Sequence, residues 1–534
     1  MGIYLNPGSD KFRMSMNGKI YIDKSGLIAE LNPLIETEDR FVCVSRPRRF
    51  GKTMAANMLA AYYGCDEDTS DLFSGLSVSD SRCYKQHLNQ HMVIQLNMQS
   101  FLSENDCVTD MLADLQSEII NELKDIYPEI VTSRRSLPRV MEKIYSKTRQ
   151  TFIILIDEWD CLFREYKGND ETQKMYLDFL RNWLKDKTYV GLAYMTGILP
   201  IKKYGTHSAL NMFNEFSMVE PGGLAVYFGF MEWEVRGLCE RYKMDFDEVK
   251  AWYDGYTLGQ TNDESKIQPI KQISIYSPQS VVEAMKRRHF SAYWNQTETY
   301  EALQLYMDMN FDGLKDAIIE MLAGAVISVD TGTFINDMTT FKTKDDVLTL
   351  LIHLGYLTYN AGTKSVAIPN KEVSQEYINS IKTTSGWSAV AQAVEHSRNL
   401  LQSLWEMDEA AVAEGIDRTH EEVSMFQYND ENALSYTISL AFYYAREYYT
   451  LVRELPSGKG YADICFIPRR LYPDKPALLV ELKWNKSAKS AMDQIKERNY
   501  PSGLSEYKGN LILAGINYDK GTKRHECIIE KIVI

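Results

Sequence analysis

Phe41-Val42-Cys43-Val44-Ser45-Arg46-Pro47-Arg48-Arg49-Phe50-Gly51-Lys52-Thr53 is the stretch on which the reading of this chain turns. Its first five residues read as a buried strand and residues 54–63 as a helix, so the residues between them form a strand-to-helix loop. Backbone N–H groups at a helix start have no intrahelical partner, and the helix dipole favours negative charge there. Such a loop suits a phosphate. In that position Lys52 can reach the β and γ phosphates and Thr53 can ligate magnesium, with Arg48, Arg49, Phe50 and Gly51 forming the cradle. The first glycine of the G-x-x-x-x-G-K-[ST] pattern is replaced by Arg46, so a loop shaped differently from the standard one is expected.

About a hundred residues on, Phe152-Ile153-Ile154-Leu155-Ile156-Asp157-Glu158 is an apolar strand ending in two carboxylates. Asp157 can hold magnesium, usually through water, and Glu158 can polarise the water that attacks a γ-phosphate. The two segments together form a Walker A and B pair. A third apolar run, 190–195, leads into Thr196-Gly197; Thr196 is either a sensor beside the γ-phosphate or an ordinary strand end. Apolar runs at 41–44, 92–96, 152–156 and 190–195 alternate with amphipathic stretches, the rhythm of a parallel α/β sheet.

A chain of 534 residues exceeds one ordinary core, so two to four domains are expected. With 45% hydrophobic and 25% charged residues it has a globular composition. No apolar run approaches the ~20 residues of a membrane helix, and residues 1–10 lack a signal-peptide layout, so a soluble, cytoplasmic protein without a membrane partner is expected. Eight cysteines without a CxxC pair fit neither a disulfide framework nor a structural zinc site. The net charge of −14 disfavours global attraction to polyanions, leaving any nucleic-acid contact to local basic patches. Two candidates are Arg134, Arg135, Arg139, Lys143, Lys147 and Arg149, which also read as a solvated helix face, and Lys483, Lys486, Lys489, Lys496 and Arg498.

Tyr21-Ile22-Asp23-Lys24-Ser25, Ser45 to Thr53, Leu155-Ile156-Asp157-Glu158-Trp159-Asp160 and Trp252-Tyr253-Asp254-Gly255-Tyr256 together resemble the bacterial AAA-ATPase-like family, often joined to a C-terminal nuclease domain. The resemblance covers most of the chain to about residue 300. It implies an additional-strand P-loop sheet over 1–225, with ATP as the nucleotide and magnesium, or manganese in its place, as the metal. Residues 226–300 read as a helical lid. A helix and short β-hairpin near 345–369, as in a winged-helix fold, fall in a 301–384 linker domain. Asp23 and Lys24 match a family motif and read either as ligand contacts or as an N-terminal packing turn. Arg48 and Arg49 either touch phosphates, act in a neighbouring subunit of a homo-oligomer, or are exposed loop arginines.

Beyond residue 385 helices precede three apolar strands. Gly458-Lys459-Gly460 turns into Tyr461-Ala462-Asp463, and a second strand ends Glu481-Leu482-Lys483. Strand alternation puts Glu481 and Lys483 on one face. Two carboxylates on adjacent strands can bind magnesium, and a lysine beside them can orient or deprotonate water and offset charge on a phosphodiester. This order resembles the PD-(D/E)XK nuclease superfamily, which implies a restriction-endonuclease-like α/β domain over 385–534. On that resemblance Asp463 is the first metal ligand, Glu481-x-Lys483 the ExK element, Glu431 the upstream acid and Gln494 the glutamine that often follows. The expected function is an ATPase coupled to magnesium-dependent cleavage of DNA or RNA. The alternative is an ATP-dependent regulatory switch whose nuclease-like domain binds nucleic acid or a partner without cutting.

Overall fold

The computed structural model describes residues 2–131, 136–201, 210–260, 271–294, 303–307, 313–334, 341–384, 386–422, 431–457, 460–498, 504, 507 and 510–532, with backbone alone at 260, 271, 431–433 and 457. The chain divides into two compact units, Met1–Gln296 with Ser328–Val373, and Thr297–Ile327 with Ser374–Ile534. Both are mixed α/β.

In the first unit, β1 (Phe41–Ser45), β2 (Met92–Asn97), β3 (Phe152–Asp157), β4 (Val190–Gly197) and β5 (Asn214–Phe216) make a parallel sheet of order β2-β3-β4-β1-β5. The strand β4 therefore lies between the strand that feeds the phosphate loop and the strand that ends in the two carboxylates, the additional-strand arrangement. Every residue of β1, β3 and β4 is buried, as expected where helices cover both faces, and this is why these strands read as unbroken apolar runs. The helix Lys52–Tyr63 packs onto the core through Ala55, Met58, Leu59, Ala60 and Ala61, the three alanines keeping that face small.

A helix, Lys344–Leu354, starts on a capping box at Thr343 and ends at Gly355, which has φ 88°. An antiparallel hairpin, Thr358–Asn360 with Ser365–Ala367, follows it. A Cβ on Gly355 would lie 2.8 Å from the Pro47 Cβ, so this helix end is seated directly on the phosphate loop. The WYDGY stretch forms the corner that keeps it there. Tyr256 donates to the Gly355 carbonyl at 2.8 Å, Asn370 donates to the Asp254 carbonyl at 2.7 Å, and the Ser274 hydroxyl bonds the Asp254 carboxylate.

The second unit carries β6 (Tyr449–Ser457), β7 (Gly460–Pro468), β8 (Ala477–Trp484), β9 (Leu511–Asp519) and β10 (Arg524–Ile532), hydrogen-bonded in chain order. All pairs are antiparallel except β8 with β9, whose parallel connection runs through the helix Ala488–Glu497. Helices Ser388–Trp405, Glu409–Glu422 and Glu431–Ala441 contribute to the core on one face, and Ala488–Glu497 to that on the other. Gly515 makes the second packing possible: a Cβ there would sit 2.6 Å from the Ala488 carbonyl oxygen.

Among the described residues no helix is long and apolar enough to cross a membrane. All eight cysteines are free. Arg134 and Arg135 lie outside the described residues, while Arg139, Lys147 and Arg149 are exposed along or just past the Leu137–Thr148 helix.

The corner yields a stability test. Gly255 has φ 104°, and a Cβ there would meet the Pro369 carbonyl oxygen at 1.9 Å. Gly255→Ala should therefore destabilise the first unit by roughly 3 kcal/mol through combined backbone strain and steric clash. Gly75→Ala, where a Cβ meets nothing within 4 Å, should change stability by less than about 0.5 kcal/mol. Thermal and chemical unfolding of both variants measure the contrast.

Candidate functional sites

The first site forms where β1, β3 and β4 end side by side. Register sets it: Val44 of β1 and Asp157 of β3 both stand opposite Thr196 of β4. Gly51 takes φ 92° at the N-cap of the Lys52–Tyr63 helix, a left-handed turn for which glycine has no steric penalty. Lys52 is buried and its ammonium donates to the carbonyls of Arg46 (3.0 Å) and Pro47 (2.9 Å). Burial lowers its pKa, and the charges of Glu158 and then Asp157 oppose that shift. The Thr53 hydroxyl donates to Asp157 Oδ2 at 2.7 Å, while the Glu158 amide donates to Asp157 Oδ1 at 3.0 Å. Burial, tempered by the Thr53 bond, moves the Asp157 carboxyl up to about 6.

Thr196 is fully buried, and its hydroxyl has no hydrogen-bond partner among the described residues. Arg48 is half-buried, and Arg49, at φ 67°, donates to the Tyr293 carbonyl at 3.1 Å. The Phe50 ring is buried edge-on to Tyr256 at 5.2 Å, so this residue anchors the loop by packing. Arg46 is fully buried, donating to the carbonyls of Ser45 (2.8 Å) and Phe216 (2.9 Å).

Asp23 and Lys24 have structural partners. Asp23 accepts from the Ser25 amide, the Ser77 amide and the Ser77 hydroxyl, and Lys24 pairs with buried Glu234 at 2.7 Å while donating to the Val226 carbonyl. They tie the start of the chain to segments more than fifty and two hundred residues away.

The sequence reading passed over Asp160 and Arg164. Asp160 is fully buried and accepts the amides of Ile198 (3.1 Å) and Leu199 (2.9 Å), so it joins the loop after β3 to the loop after β4. Arg164 is paired with Glu158 and lies 3.5 Å from Asp160. The available signal was an arginine four residues after Asp160, close behind an acid-rich strand end.

The second site lies where β7 and β8 separate. The β7–β8 pairing includes Phe466–Leu478, Cys465–Leu479 and Ile464–Val480. Just past it, Asp463 Oδ2 accepts the Leu482 amide at 2.7 Å, a side chain taking the place of a ladder carbonyl. Glu481 is fully buried; its Oε1 accepts from Lys483 at 3.0 Å and from Gln494, and its Oε2 has no partner among the described residues. Burial raises the Glu481 carboxyl to about 7, reinforced by Asp463 and opposed by Lys483. Lys483 also donates to the Leu482 carbonyl at 2.8 Å. Asp463, Glu481, Lys483 and Gln494 thus converge. Glu431 begins the Glu431–Ala441 helix, and its side chain lies outside the described residues.

Each site offers hard oxygen donors suited to magnesium: the Thr53 hydroxyl with Asp157 in one, and Asp463 with Glu481 in the other. The buried, unpartnered Glu481 Oε2 fits a cation at the second. Among the described residues no group of three or more His, Cys, Asp or Glu side chains forms a further metal-binding cluster.

Comparison with known proteins agrees with both halves. Residues 8–206 match the family described as "Predicted AAA-ATPase", and residues 430–527 match the PD-(D/E)XK nuclease superfamily. An uncharacterized protein from the vnfD 5′ region of Azotobacter chroococcum mcd 1 is 26% identical over 292 residues, covering 52% of this chain. The match spans about half the length of that relative, 51%.

A metal takes the ionised carboxylate and competes with a proton. Because the Glu481 carboxyl sits near 7, Mn2+ affinity at the second site should rise about tenfold per pH unit below about 7 and level off above it. Electron paramagnetic resonance titration in an Asp157→Asn background isolates that site, and Glu481→Gln should remove the pH-dependent binding.

Proposed function

This chain carries an AAA-ATPase-like domain followed by a PD-(D/E)XK nuclease superfamily domain, and from that premise we propose that it is a P-loop ATPase coupled to a magnesium-dependent nuclease acting on DNA or RNA. The observation that carries the reading is the presence of two separate strand-end constellations in one chain. In each, a buried carboxylate with raised pKa stands beside a lysine.

At the first site the amides at the start of the Lys52–Tyr63 helix take the ATP phosphates, and Lys52 exchanges its loop carbonyls for the β and γ oxygens. Glu158 accepts a proton from water as the water oxygen bonds to the γ-phosphorus and the bond to the β–γ bridging oxygen breaks, leaving ADP and phosphate. Thr196, level with Asp157, has a free hydroxyl to offer the γ-phosphate. At the second site Lys483 orients the attacking water and offsets the charge that grows on the phosphodiester as its bond to the leaving oxygen breaks. Thr53 and Asp157 in the one site, and Asp463, Glu481 and the upstream Glu431 in the other, would hold magnesium, which would supply charge neutralisation and acidify the attacking water.

Two substitutions separate the sites. Lys52→Ala should weaken ATP binding by roughly tenfold or more, about 1.4 kcal/mol. Lys483→Ala should abolish release of nucleotides from DNA or RNA in Mg2+ or Mn2+ with ATP affinity retained. Loss of both activities in both variants would refute the modular reading. Tight nucleic-acid binding without cleavage by the unaltered protein, even after long incubation with Mn2+, would instead identify a regulatory switch.

A further inference from the structure

Glu158 has a partner that the ATPase chemistry above does not use. It leaves β3 at φ 54°, and its Oε2 meets Arg164 Nη2; among the described residues its Oε1 has no hydrogen-bond partner. Arg164 belongs to the short helix Cys161–Glu165, its side chain only 11% exposed.

Arg164 in turn lies beside a buried acid. Its Nε lies 3.5 Å from Oδ2 of Asp160, and that same oxygen accepts the Ile198 and Leu199 amides. Asp160 packs closely against β4: the position a Cβ would take on Gly197 is 2.6 Å from Asp160 Oδ1 and 2.7 Å from Trp159, so only glycine admits it. The loop beyond Thr196 thus fixes Asp160, Asp160 helps to fix Arg164, and Arg164 fixes one oxygen of Glu158. The free oxygen belongs to a carboxylate next in the chain to Asp157, and its charge acts on buried Lys52. A general base oriented by a third group through one atom keeps another open to the proton it must take.

We infer that Arg164 is the positioning residue for Glu158, holding its carboxylate through one oxygen so that the other receives the proton of the attacking water. The inference rests on the ATPase reading and adds to it the link from the loop after β4 to the base. Arg164 touches neither nucleotide nor water in this role; it acts through Glu158. Removing it should lower turnover and leave nucleotide binding alone.

The full-length protein is assayed for ATP hydrolysis with Mg2+ and for binding of a fluorescent ATP analogue. Arg164→Met should reduce kcat by about 30-fold, less than the roughly hundredfold or more that loss of the base itself costs, with affinity for the analogue changed less than about twofold. Arg164→Lys should recover part of the rate, since an ammonium can hold one carboxylate oxygen. Glu158→Gln combined with Arg164→Met should be no slower than Glu158→Gln alone. Unchanged kcat in Arg164→Met, an equal loss of affinity and rate, or multiplying losses in the double variant would overturn the inference. Should Arg164→Met not fold, Arg164→Gln and Arg164→Lys decide the same comparison. Absence of any hydrolysis by the unaltered protein would defeat the ATPase reading and this inference together, whereas normal hydrolysis insensitive to Arg164 defeats this inference alone.

Discussion

The hydrogen bond from the Thr53 hydroxyl to Asp157 spans a gap in the sheet, since β1 and β3 are not neighbours. The bond reaches across the end of β4 and closes three strand termini into one site, with Thr196 level with Asp157 beneath it. A buried carboxylate needs such a partner. Without the hydroxyl, Asp157 would keep only the Glu158 amide and the attraction of Lys52 against its desolvation. The alternation of charge continues outward: the Glu158 charge acts on Lys52, Glu158 pairs with Arg164, and Arg164 lies 3.5 Å from Asp160. Removing any one member would leave its neighbour buried and less compensated, which is the costly way to break such a chain.

The two units reach the same local solution on unrelated sheets. Lys52 rests on the carbonyls of Arg46 and Pro47, and Lys483 rests on the Leu482 carbonyl and Glu481. A buried ammonium satisfied by neutral carbonyls, as Lys52 is, can transfer its hydrogen bonds to an arriving phosphate oxygen and gain charge complementarity. The carboxylates beside them, near 6 and near 7, are poised between protonation and metal binding in the neutral range. The sites differ in how the acids are placed. Asp157 sits at the end of a fully paired parallel strand, whereas Asp463 sits just beyond the β7–β8 pairing and caps Leu482.

Legibility in the sequence followed the range of the interactions. Parallel strands covered on both faces are apolar throughout, so β1, β3 and β4 could be read from composition alone, and the polar residues that end them stood out. The Glu481 and Lys483 pairing was readable for a similar reason, since strand alternation is local. What could not be read depends on distant partners. Asp23 acts through Ser77 and Lys24 through Glu234, so their motif shows in sequence without its cause. Arg164 reads as an ordinary helix cation until β4 brings Leu199 onto Asp160. Gly515 looks like a flexible strand position, yet it stands opposite Glu481 in register and admits the helix that carries Gln494.

The departure of the phosphate loop from its usual pattern also becomes intelligible. Arg46 occupies the place of the first glycine, which suggested an altered cradle. Its backbone amide nevertheless continues the parallel ladder by donating to the Gly197 carbonyl at 3.0 Å, and its side chain turns into the core beneath Phe228. Burial lowers the guanidinium to about 10, which leaves it charged at neutral pH, and the Ser45 and Phe216 carbonyls share that charge. The substitution therefore alters the strand side of the loop. The helix side keeps Gly51 in its left-handed turn with Lys52 and Thr53 immediately after it, and that side presents the unpaired amides a polyphosphate requires. An arginine that serves the core is thus compatible with an anion site at the helix start, because the two demands fall on opposite ends of the same turn.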